Sequence, residues 1–200
     1  PSPAREGLAG RVCINYLYQL TMGLFDFISG AGTPKNTTRT IVLPYVPKNM
    51  NELMAMPGAN LQDEFAVAAL CVAVLCQWES DRQATIEMLN YLRGPRPLSV
   101  MDQQFLRDRL AGKQYKTYSF FRGATVQNNY TPSMPLTIDV STNPYTYQTE
   151  NMATLHLKSA GADSLRQISL RKKPSTGQWF VWEIFLLSDI RTPVAQDPWA

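Results

Sequence analysis

Trp179, Phe180, Val181, Trp182, Ile184, Phe185, Leu186 and Leu187 form a run in which only Glu183 is not apolar. Successive side chains of a strand point to opposite sides, so a strand of this composition has to be covered on both faces. The run therefore predicts a strand in the middle of a packed domain. It carries no recognisable chemistry of its own.

Upstream, apolar and polar residues alternate. Leu136, Ile138 and Val140 face one way and Thr137, Asp139 and Ser141 the other, the pattern of a half-buried strand. The same pattern places strands at about residues 116–121, 136–140, 152–158, 165–172 and 179–187. The last two close a hairpin through Pro174, Ser175, Thr176 and Gly177. Residues 39–43 form a further short extended segment, ended by Pro44 and Pro47.

Before these strands the period is helical. Residues 61–78 are apolar nearly all round, with Asn60 as N-cap and Asp63 and Glu64 in the first turn, where they complement the helix dipole. A second helix starts at Ser80, with Gln83 three residues on completing a capping box, and stops at Gly94-Pro95. Its apolar stripe is Ile86, Met88, Leu89 and Leu92. Ser99 caps a third helix through Phe105, Leu106 and Leu110, and Gly112 suits the left-handed residue past its end. Helices followed by consecutive antiparallel strands predict an α+β domain over residues 35–200, with about three N-terminal helices packed on a twisted antiparallel sheet of about five strands. That element order is compatible with a cystatin-like or nuclear-transport-factor-like cone, in which a curved sheet wraps helices around a pocket.

Residues 1–34 read as an N-terminal extension, partly amphipathic over residues 22–29. The segment that opens at Met22-Gly23 looks like a bacterial protein start, so residues 1–21 are expected to be either an upstream extension or non-native; self-association through the amphipathic residues 22–29 is a further expectation. The 200 residues, 44% apolar, suffice for one sizeable core. With 19 basic against 16 acidic residues the chain has no strong field for nucleic acid or an anionic membrane. No run reaches about 18 consecutive apolar residues, so no transmembrane helix is expected. Cys13, Cys71 and Cys76 are an odd number, two of them in an apolar run where a free thiol acts as a small hydrophobe. Free thiols favour a reducing compartment, and the expected location is cytoplasmic. With a single histidine, no metal set is expected, and no cofactor is implied.

Several segments are familiar as a set. They are Pro97-Leu98-Ser99-Val100-Met101-Asp102-Gln103-Gln104-Phe105, Gly123-Ala124-Thr125 with Asn128-Asn129-Tyr130-Thr131-Pro132, the pair Ser159 and Ser164, Leu170-Arg171-Lys172-Lys173-Pro174, and Asp197-Pro198-Trp199-Ala200. Together they resemble a family of uncharacterised bacterial proteins, a domain of unknown function, over roughly residues 35–200. The resemblance implies a bacterial origin and brings no activity and no assigned residue.

Candidate sites follow from residue types. His156 alternates with Thr154 and Lys158 on a polar face, as a proton shuttle or a plain surface residue. Glu183 shares a face with Trp179, Val181 and Phe185; in the simplest hairpin register Ile168 lies opposite and Arg166 diagonally. That predicts either a carboxyl with raised pKa or an ion pair with Arg166. Glu183, Arg166 and His156 are the candidate lining of a pocket between helices and sheet. Arg166, Arg171, Lys172 and Lys173 cluster near the hairpin, to hold phosphate or a nucleic-acid backbone or to guard a sheet edge with charge. Tyr130, Tyr145, Tyr147 and Trp199 either face a partner or fold back on the domain. No Walker loop, dinucleotide glycine pattern or nucleophile elbow is present, so no catalytic residue is assigned. The expected function is a non-catalytic binding or protein-interaction module, with a small-molecule-binding or hydrolytic domain as the alternative.

Overall fold

Sequence neighbours become sheet neighbours. Five strands, β1 (Thr38–Leu43), β2 (Leu136–Ser141), β3 (Met152–Leu157), β4 (Arg166–Lys172) and β5 (Trp179–Phe185), form one antiparallel open sheet in the order β1-β2-β3-β4-β5. The structure, a computed structural model, describes residues 36–199. The extension at 1–34, its segment at 22–29 and Cys13 lie outside the described residues.

Among the described residues five α-helices occur, all between β1 and β2: α1 (Met50–Met54), α2 (Glu64–Leu75), α3 (Arg82–Arg93), α4 (Val100–Leu110) and α5 (Tyr115–Tyr118). The α+β architecture is as expected, but the fifth strand is not the expected one. The short segment at 38–43 supplies it, pairing with β2 from Thr38 opposite Ser141 to Leu43 opposite Leu136. The strand expected at 116–121 is instead the single turn of α5, and Phe121 makes only an isolated bridge to Ile138. Hydroxyls decide this locally: Thr117 and Ser119 donate to the carbonyls of Gln114 and Lys116 at 2.8 and 2.7 Å, closing helical turns in place of a ladder.

Every residue of α2 from Phe65 to Leu75 is buried, which explains an apolar pattern with no polar side. The sheet covers one side of it, and α3 and α5 cover others. Its cap is Asp63, which accepts from the Phe65 amide at 3.0 Å, rather than Asn60. Leu61 has φ of +64°, which breaks any helix running through it. Asp81 likewise replaces Ser80 as the cap of α3, accepting from the Ala84 amide at 2.9 Å. For α4 the expected cap holds, and Ser99 and Asp102 form a reciprocal capping box.

β5, the strand apolar on both sides, lies at an edge of the sheet. Trp179 and Val181 are buried, whereas Phe185 at the end of the strand is 55% exposed. Its edge is closed where the Trp179 amide donates to the Leu61 carbonyl at 2.8 Å, and the Trp182 carbonyl accepts from Arg93 and Arg96 at 3.4 and 3.3 Å. A β-bulge also interrupts the hairpin: Leu170 lies opposite Val181 but Ser169 lies opposite Glu183. The extra residue resets the alternation, so that Val181 and Ile184 both pack on the core.

Candidate functional site

The bulge separates the residues that sequence spacing brought together. Glu183 lies opposite Ser169, one position out of the simplest register, whereas Arg166 lies opposite Leu157 on the core side of β4 with Ile168. Glu183 thus belongs to the other face, and the expected ion pair with Arg166 is replaced. Arg96 donates to Glu183 Oε1 at 2.9 Å, and Arg166 donates to Ser164 Oγ and the Asp189 carbonyl, both at 2.9 Å. His156 is no surface residue but only 8% exposed. Asn143 and Gln167 amide nitrogens each lie 3.3 Å from its Nε2. Its buried Nδ1 bonds no protein group, and burial holds the imidazole pKa below its ordinary value. Glu183 lines a groove that neither His156 nor Arg166 lines, so the three do not form one pocket there.

The groups that converge sit instead where α3 ends against β5. Asn90 Oδ1 accepts from the Leu98 amide at 2.8 Å and folds the segment 94–98 back on the helix. Gly94 makes the turn with φ of +58°, and a Cβ placed there would lie 2.4 Å from the Phe180 ring. The turn carries Arg96 across β5, with its guanidinium carbon 4.4 Å from the Trp182 ring centroid; that of Arg171 lies 4.9 Å from the same centroid. Arg93 is 3% exposed. Its Nε donates to the Arg96 carbonyl at 3.0 Å and its Nη1 to the Trp182 carbonyl at 3.4 Å. Its Nη2 makes no hydrogen bond and faces Asp102 Oδ2 at 3.6 Å. Burial opposes ionisation of Asp102, but hydrogen bonds from Ser99 and the charges of Arg93 and Arg96 outweigh it and hold the pKa below the usual carboxylate value.

Two concavities meet at Arg93, which lines both. The first, of about 260 Å³, lies among Pro95, Arg96, Arg171, Lys173, Phe180 and Trp182. No carboxylate is among its lining residues, and Arg93, Arg96, Arg171, Lys172 and Lys173 give it five cations. The second, of about 430 Å³, is an apolar groove between α4 and β5, lined by Leu98, Met101, Phe105, Leu106, Ile184 and Phe185 with Glu183 and Asp102 beside them. Met101, Phe105 and Phe185 are 83, 42 and 55% exposed.

The sequence model of a family described as a domain of unknown function (DUF6935) matches residues 45–194. The chain belongs to this family. No curated protein and no solved structure matches it. The DUF6935 match takes in all the residues that build the cleft and the groove, and leaves out β1 and Trp199.

Of the residues expected at an interaction surface, Tyr130 does not belong there. It is 1% exposed, its hydroxyl donates to the Arg191 carbonyl at 2.8 Å, and its ring stacks on Tyr115 at 5.9 Å. Tyr145, Tyr147 and Trp199 are exposed. The Tyr147 hydroxyl donates to Glu64 at 2.8 Å, and burial together with that carboxylate raises its pKa. Arg93, Arg96, Met101, Phe105 and Trp182 were not singled out from sequence. The one signal was the pair of arginines flanking Gly94-Pro95, legible only as a helix stop. Cys71 and Cys76 are buried free thiols whose pKa burial pushes up to about 12. Among the described residues no group of His, Cys, Asp and Glu is placed to hold a metal ion, and no helix is long and apolar enough to cross a membrane.

Proposed function

We propose that this domain is a non-catalytic binding module that docks a segment of a partner protein on the face formed by α4, β5 and the 94–98 turn. The observation that carries it is the groove in which Met101, Phe105 and Phe185 stand exposed side by side. Single exposed apolar residues are ordinary, but several lining one concavity mark a docking surface. A ligand pocket between helices and sheet is the weaker alternative, because the α2 side chains fill that space. A bacterial cytoplasm is the proposed setting, supported by the resemblance and by the unpaired thiols of Cys71 and Cys76.

The test is selection of short peptides from a random displayed library on the 200-residue chain, followed by fluorescence anisotropy with the enriched peptides. Wild-type protein should bind them, and Phe105→Asp, an exposed change that leaves the thermal melt in place, should abolish binding. Enrichment that is the same on Phe105→Asp as on wild type overturns the proposal.

A further inference from the structure

We infer that the docked segment is acidic: an apolar side chain seats in the groove while carboxylates a few residues away enter the cleft at Arg171 and Lys173. The inference rests on the protein-binding proposal and adds the chemistry of the partner. The cleft has five cations and no lining carboxylate, so it favours an anion. Two of those cations already hold carboxylates of this chain, Arg96 with Glu183 at 2.9 Å and Arg93 with Asp102 at 3.6 Å. These internal pairs display the chemistry the site accepts. Arg171 and Lys172 are left against the rings of Trp182 and Trp179, and Lys173 has no side-chain partner among the described residues.

The neighbouring surfaces decide among anions. Trp182 is the aromatic ring on which a nucleic-acid base would stack, and it is already engaged by the guanidiniums of Arg96 and Arg171. A free phosphate would use the cleft but leave the groove empty. A chain carrying acid and apolar groups close together suits both cavities, which share Arg93 in their linings. Charge complementarity of this kind speeds association and selects the partner, and salt screens it.

The experiment uses the 200-residue chain and three fluorescein-labelled variants of one enriched peptide, with Glu, Gln or Lys flanking its apolar residue. Anisotropy is read at low salt and at about 0.5 M salt. The Glu peptide should bind at least about tenfold more tightly than the Gln peptide at low salt, and the gap should shrink at high salt. Arg171→Glu with Lys173→Glu, both at exposed positions, should reverse the preference toward the Lys peptide. Equal affinity for Glu and Gln peptides, with Phe105→Asp still abolishing both, overturns the acidic preference and leaves the docking proposal standing. Failure of every peptide to bind overturns both. A single-stranded oligonucleotide that binds more tightly than the Glu peptide and is lost in the charge-reversed variant also overturns the inference.

Discussion

Arg96 donates to Glu183 Oε1 at 2.9 Å while its guanidinium carbon lies 4.4 Å from the Trp182 ring, so one loop residue holds both neighbours at the bulge. The ion pair is open to water, with side chains 43 and 41% exposed. Exposed pairs contribute little once solvent screening is counted. Glu183→Gln is therefore expected to change stability by less than about 1 kcal/mol in urea unfolding. A larger loss would mean that the carboxylate supports the bulge itself.

Arg93 is the opposite case. It is buried, and it supplies donors to the carbonyls of Arg96 and Trp182 and a charge facing Asp102. Arg93→Met keeps the stem but leaves the Arg96 carbonyl without its donor, the Trp182 carbonyl with Arg96 alone and Asp102 without the facing charge. The expected cost is about 2–4 kcal/mol, read as a fall in the urea midpoint with an unchanged slope.

Gly94→Ala meets two obstacles, a left-handed φ of +58° and the Phe180 ring 2.4 Å from the new Cβ. A loss of about 1–3 kcal/mol is expected. In a Phe180→Ala background the contact disappears and only the backbone cost remains. The two losses should then be less than additive; a double-mutant cycle with no coupling would refute the steric account.

His156 predicts a pH dependence of stability. Burial holds its folded pKa below the ordinary value, so the unfolded chain takes up the proton first. Its contribution is fully present above about pH 6.5 and is lost as pH falls through the lower folded value. Urea unfolding between about pH 7 and pH 5 should show wild-type stability falling more steeply than that of His156→Gln. Parallel profiles would mean that the imidazole is not titrating against burial.

Much of the fold was legible because its causes are local. The alternation at 136–141 and the all-apolar body of α2 each report which sides of an element are covered. The cap at Ser99 is a hydrogen bond to a residue three positions away, and it was read correctly. The caps at Asn60 and Ser80 were misplaced because several polar residues compete there, and the left-handed Leu61 carries no sequence signal. The segment at 116–121 was misread because alternation looks the same whether a strand or a turn closed by hydroxyls uses it.

The placement of most helices and strands and their antiparallel succession are legible in the chain itself. Side-chain period and capping are short-range, so they are written in neighbouring residues. That β5 is an edge strand, that a bulge turns Glu183 away from Arg166, and that Arg93 and Trp182, 89 positions apart, meet emerges only when the chain folds. The physical reason is that register and edge cover are set by contacts between distant segments. A strand apolar on both faces does not record which segments lie beside it.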